Sequence, residues 1–296
     1  MTHPTIILPA QFNGTTLSQV AADVLECAQE QSPTSLIFDF SRLRFIRPAG
    51  VVFLSNLAYW LNEHGTKVSF VNCDTDRIPI KYLDDSLFFE QHCGGKLDPN
   101  SGPRPTTRPL VRIAQEESHA WLETNLVRWL AGRLSITEPS LYAFKACISE
   151  LFNNIQDHTR YDIGSIFVQH FPNDGEVTIS VSDFGLGIPE KVREKEPDLA
   201  DSDAIIRAVQ EGFTTKSRPS NKGAGLDYLL RVMVLNNGGR VTVYSGKGIV
   251  CFEKSGTNIR PVVFPDVGFC PGTTIDITLQ TDTIEELPEE REDLEW

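Results

Sequence analysis

Residues 149–158 read SELFNNIQDH, which places Glu150, Asn153, Asn154, Asp157 and His158 within nine positions. They end an apolar-rich run, LYAFKACISELFNNIQDH, with helical spacing. On a helix Glu150, Asn154, Asp157 and His158 share one face, with Asn153 off it. Burying such groups unpaired costs roughly 1–3 kcal/mol each, so the cluster faces either water or a ligand. A carboxylate and an amide oxygen on one face suit a hard cation such as magnesium, which takes oxygen ligands. A second carboxylate can orient an attacking water. Taken alone, the stretch reads equally well as a solvated helix face.

Two further stretches add to it. SVSDFGLGIP follows a strand-like run and sets Asp183 before Gly185 and Gly187. Glycines there let the backbone approach a flat ligand, and the carboxylate can accept a hydrogen bond from an exocyclic amine. A turn after a strand explains the same letters. GFTTKSRPSNKGAGLDYLL offers Lys216 and Lys222 before Gly223, Gly225 and Leu226. A glycine-rich loop opening a helix is a ready anion site, because free N–H groups and the helix dipole point at the ligand. The polar segment between, KVREKEPDLADSDAIIRAVQ, reads as a mobile cover. Arg193, Lys195 and Arg207 within it read as solvated.

In this order, the three stretches resemble the GHKL superfamily of ATP-binding domains, which includes gyrase, heat-shock chaperone, histidine kinase and mismatch-repair ATPases. The resemblance covers roughly residues 110–280. ELFNNIQDH is similar to the N box, which implies Glu150 as general base and Asn154 as magnesium ligand. Asp157 and His158 fall where members carry nucleotide-side residues. DFGLGIP is similar to the G1 box, which implies that Asp183 reads the adenine amino group. KGAGL resembles the G2 box at the end of the ATP lid. Gly272 and Thr273, in PGTTIDITL, resemble the last glycine–threonine element. The implied cofactors are ATP and Mg2+.

These residues need elements to hold them. ESHAWLETNLVRWLAGRL and TEPSLYAFKACISELFNNIQDH predict long helices, the second opened by Thr137 with proline in its first turn. GSIFVQHF and EVTISVSD alternate around the turn PNDG and predict a hairpin. RVTVYS, GIVCFEKS and TTIDITL continue the strands, with a helix over GAGLDYLLRVMVLNNGG. Helices beside a mostly antiparallel sheet give an α+β fold, a two-layer sandwich. Upstream, TIILPA, TLSQVAADVLECAQE, SLIFDFS, GVVFLSNLAYWLNEHG and TKVSFVN alternate strand and helix, an α/β pattern. This part resembles a STAS domain, the fold of anti-sigma-factor antagonists. Those carry a phosphorylated hydroxyl before a glycine, where this chain has Arg47-Pro48-Ala49-Gly50. That departure points to a scaffold or docking role.

The expected organisation is a STAS-like domain at 1–94, a Pro- and Gly-rich linker at 95–109, a GHKL domain at 110–280 and an acidic tail at 281–296. The 296 residues, 40% hydrophobic, suffice for two cores. A formal net charge of −13 argues against general nucleic-acid binding. No run of about 18 apolar residues suggests a membrane span, and no basic region precedes a long apolar stretch as in a secretory signal. The six cysteines are scattered without a CxxC pair and read as buried hydrophobes in a reducing cytosol. His119 and the dispersed histidines imply no metal cluster.

The expectation is a cytoplasmic Mg-ATP-binding regulatory protein that hydrolyses ATP or transfers phosphate to a partner, in the manner of anti-sigma serine/threonine kinases. The alternative is a non-catalytic ATP-gated adaptor. The partner would be a regulatory protein, such as a separate STAS-domain or sigma-factor-related protein, and a homodimer is a further option.

Overall fold

The computed structural model describes residues 3–31, 33–158, 163–210, 212–213 and 225–287. The N-terminal half begins with β1 (Thr5–Ile7), β2 (Gln11–Phe12) and α1 (Thr15–Gln31). It continues with β3 (Ser35–Asp39), β4 (Phe45–Ile46), α2 (Pro48–Glu63) and β5 (Lys67–Val71). β1, β3 and β5 form a parallel sheet in that order, while β2 and β4 pair separately. The apolar spacing of Leu17, Val20, Ala21 and Val24 gives α1 one buried face. α2 opens on Pro48 and is buried from there through Ala58 and again at Leu61, far more than one face. A helix apolar on all sides must be covered on all sides.

The covering comes from the rest of the chain. After α3 (Ile78–Asp85) and α4 (Phe88–Cys93), residues 94–106 cross to β6 (Thr107–Ala114). The stretch read as a linker is pinned, not loose. Asp84 accepts the Leu97 and Asp98 N–H groups at 2.9 Å each, and Asp85 pairs with Arg104 at 2.9 Å. Its last residues already belong to β6. The long helix expected over 117–134 is split into α5 (Gln115–Trp121), a wide π-type turn (Leu122–Val127) and α6 (Arg128–Leu134). A 3-10 turn (Glu138–Leu141) leads into α7 (Tyr142–His158).

The hairpin follows as β7 (Ile163–Phe171) and β8 (Glu176–Asp183), then α8 (Ile188–Arg193), α9 (Asp201–Ala208) and α10 (Leu226–Leu230), which runs into a second π-type turn (Arg231–Asn236). β9 (Arg240–Gly246), β10 (Gly248–Ser255), β11 (Asn258–Val263) and β12 (Cys270–Gln280) complete a seven-stranded sheet ordered β11-β10-β9-β12-β8-β7-β6. Every pairing in it is antiparallel. The mixed helix and sheet content agrees with the expected α+β class.

Strand alternation gives this sheet two different faces. On one, Val177, Ile179, Val181, Ile275 and Ile277 form a core with Phe144, Ile148, Leu151 and Phe152 of α7 and with Leu126 and Leu130. On the other, Phe167, Tyr244 and Ile249 join a core shared with Phe12, Phe38, Phe53 and Leu57 of the N-terminal half. The large sheet is thus covered on both faces, and α2 lies in the layer between the two sheets.

The beginning of the segment read as a free acidic tail is also attached. The Leu287 N–H donates to Ser140 Oγ at 2.8 Å, and Thr137 Oγ1 donates to the Leu287 carbonyl at 2.5 Å. All six cysteines are free thiols, and burial pushes Cys73, Cys147 and Cys270 up to about 12. No helix among the described residues is long and apolar enough to cross a membrane.

Candidate functional site

Asp183 ends β8. Because Val177, Ile179 and Val181 face α7, alternation turns Asp183 to the same side. Its cross-strand partner on β12 is Thr273, which in turn pairs with Ser245 of β9. Both Asp183 and Thr273 are buried, at 9% and 8% exposure. The Asp183 carboxylate accepts the Gly185 N–H at 2.7 Å and the Thr273 N–H. Burial raises its pKa to about 6, and the two backbone donors only partly offset that. An acceptor of this kind, desolvated and fixed by two donors, is preorganised to receive one more hydrogen bond.

The walls are built from backbone. Gly187 has φ +82°, and a Cβ there would meet Ser245 Oγ at 2.8 Å and the Gly272 carbonyl at 2.9 Å. Gly272 has φ +69°, and its Cβ would meet the Asp183 carbonyl oxygen at 2.3 Å. Only glycine satisfies both the left-handed conformation and the space. Ser245 ties the corner together: its Oγ donates to the Gly272 carbonyl at 2.6 Å and accepts the Ile188 N–H at 2.9 Å. Sequence reading missed Ser245, since a serine in RVTVYS carries no motif. Leu186, between the two site glycines, is 60% exposed.

Glu150 and Asn154 lie on α7, both half-buried, beside the face that Phe144, Ile148, Leu151 and Phe152 bury. Asn153 is half-buried too. Asp157 and His158 fall in the last turn of α7, and their side chains lie outside the described part. Lys216, Lys222 and Gly223 also lie outside the described residues. Gly225 precedes α10 at φ −84°, and Leu226 is the first residue of that helix. Among the described residues no three His, Cys, Asp or Glu side chains come together as a metal site.

The segment read as a mobile cover is instead packed. Val192, Ala204 and Ile205 are buried, and Ile205 belongs to the core on the α7 side of the sheet. Arg193 and Arg207 are not simply solvated. Arg193 pairs with Glu190 and with Asp201, and Arg207 pairs with Glu196 at 2.8 Å. Asp201 also accepts the Lys247 N–H at 2.6 Å, clasping α9 to the β9–β10 turn. Alternating charge hid this, because the apolar contacts are few and short.

No curated protein matches the chain at a significant level. Residues 142–282 match the model of the family described as histidine kinase-, DNA gyrase B-, and HSP90-like ATPase. The span runs from the first residue of α7 past β12 and contains β8, β9 and β12, whose residues line the Asp183 corner. The chain therefore carries, over these residues, an ATP-binding domain of the GHKL type.

Proposed function

We propose that the chain is a Mg-ATP-dependent regulatory protein whose GHKL domain hydrolyses ATP or passes its γ-phosphoryl group to a hydroxyl on a partner protein. The observation that carries this reading is the Asp183 corner: a buried carboxylate held by Gly185 and Thr273 N–H groups and walled by two glycines with no room for a side chain. The carboxylate fits an adenine ring, which needs an acceptor for its amine. Asp183 supplies that acceptor when ionised.

At the phosphate end, Asn154 offers an amide oxygen on α7, which suits a magnesium ion that takes most of its other ligands from water and phosphates. The ion, when bound, supplies charge neutralisation at the phosphates. Glu150 lies one turn before Asn154 on the same helix and acts as the base that orients the nucleophile, water or hydroxyl. Backbone N–H groups near Gly223 and Gly225 would stabilise charge developing on the transferred phosphoryl group.

We read the N-terminal half as STAS-like on its three parallel strands and its strand–helix alternation. Without a hydroxyl at Ala49 it serves as a docking module, and the phosphoacceptor is a separate protein of STAS or sigma-factor-related type. The setting is the cytoplasm. A second reading, an ATP-gated adaptor without turnover, is favoured by one observation: α2 of that half packs directly behind the nucleotide corner. Label transfer from γ-labelled ATP to water or to an added STAS-type protein separates the two. Turnover that Glu150→Ala abolishes supports the catalytic reading. ATP binding without any label release or transfer leaves the adaptor.

A further inference from the structure

Asn56 is a polar residue in the middle of a helix that is otherwise buried and mostly apolar. It is 8% exposed. Leaving its amide unpaired there would be costly, and it is not unpaired. Nδ2 donates to the Ser182 carbonyl at 2.7 Å, and Oδ1 accepts the Ser165 hydroxyl. One turn earlier on the same helix face, the Phe53 ring meets the Phe184 ring edge-on, centroids 5.9 Å apart. Ser182 and Phe184 are the two residues that flank Asp183. Ser182 also bonds Thr274 at 2.7 Å, and Thr274 follows the residue whose N–H holds the Asp183 carboxylate. One turn of α2 thus grips both neighbours of the adenine-reading residue from the opposite face of the sheet.

We propose that Asn56 and Phe53 are positioning residues for the nucleotide corner, so that the N-terminal half completes the ATP site from behind and in turn registers its occupancy. The inference rests on the reading of Asp183 as the adenine acceptor. Asn56 never touches the ligand. It acts by fixing where the Asp183 backbone sits, and small displacements of such an acceptor weaken the bond it makes. Because coupling between binding events is reciprocal, nucleotide that tightens the corner also tightens α2.

Ser55 is the matched control. It too is buried on α2, but its hydroxyl bonds His92 within the N-terminal half at 2.9 Å. The experiment titrates Mg-ATP and Mg-GTP into full-length wild type, Asn56→Ala and Ser55→Ala, with a thermal melt of each. Asn56→Ala is expected to weaken ATP binding about tenfold, on the scale of one displaced hydrogen bond, and to narrow the preference for ATP over GTP. Ser55→Ala is expected to lose comparable thermal stability and bind ATP as wild type does. Equal ATP affinity in all three proteins, or equal weakening in both variants, overturns the proposal. If Asn56→Ala does not fold, amide hydrogen exchange of residues 51–58 in the wild type decides: slowing on addition of Mg-ATP supports the coupling, and unchanged exchange overturns it. A wild type that binds no ATP sinks the reading of Asp183 itself, and the positioning role with it.

Discussion

At the scale of the residue, Asp183 sets the pH behaviour of the site. Its pKa in the folded chain is raised to about 6 by burial, above the ordinary aspartate value near 4. The folded state therefore binds the proton more tightly than the unfolded state. The stability that Asp183 contributes is full below about pH 4 and falls as pH rises through about 6. ATP affinity runs the other way, because the carboxylate is a stronger acceptor for the adenine amine than the neutral acid, so affinity should rise over pH 5–7 and then level. Titration calorimetry across that range checks this, and a flat profile for wild type would contradict it. Asp183→Asn keeps an oxygen for Gly185 and Thr273 but turns an N–H toward the adenine amine. It should raise thermal stability at pH 7 while weakening ATP binding roughly 100-fold, the scale of a lost charge-assisted hydrogen bond. Gly187→Ala should do neither selectively: a Cβ 2.8 Å from Ser245 Oγ at φ +82° should lower stability by about 1–3 kcal/mol and weaken nucleotide binding together.

At the scale of the element, the Asp183 corner of the candidate site was legible because its parts announce themselves. A glycine pair after an alternating strand and a polar face on an amphipathic helix are local patterns, and Asp183, Glu150 and Asn154 were named from them, whereas Thr273 came from the family resemblance alone. β8 and β10 fall on the residues the alternation picked out, EVTISVSD and GIVCFEKS. What local pattern could not show was long-range support. Ser245 becomes a hub only because β9 lies beside β12, and Asp201 becomes a clasp only because α9 lies on the β9–β10 turn. The first three residues of β6 were read as linker because two prolines and an arginine mask its start, although its edge position in the sheet tolerates Pro109. Two predictions belong here. Glu150→Ala should reduce turnover at least about 100-fold while leaving ATP affinity within a few-fold, as expected for a base acting in the transition state. Asp201→Ala, which removes one of the two carboxylate partners of Arg193 and frees the Lys247 N–H, should cost about 1–3 kcal/mol in a thermal melt. A loss within error would mean that α8 and α9 hold by their apolar contacts alone.

At the scale of the whole molecule, the sequence suggests two units in series, and composition supports that division at residues 95–109. The structure shows what composition cannot: the second face of the seven-stranded sheet is roofed by α2, and one apolar core runs from Phe38 and Phe53 through Phe167 and Tyr244. Hydrophobic patterning reports that a segment will be buried but not against which neighbour. With that core shared, the chain should unfold in one calorimetric transition with matching calorimetric and van't Hoff enthalpies. Two separated transitions would contradict the shared core.

The central claim is that Asp183 reads ATP in a site built to turn it over. The measurement that tests it most directly is γ-phosphate release or transfer from Mg-ATP by the purified full chain at pH 7.5, with Asp183→Asn and Glu150→Ala beside it and nucleotide affinity measured on the same samples. Turnover by the wild type, roughly 100-fold weaker binding in Asp183→Asn, and binding without turnover in Glu150→Ala are the expected results. Nucleotide binding that survives Asp183→Asn unchanged, or turnover that survives Glu150→Ala, would contradict it.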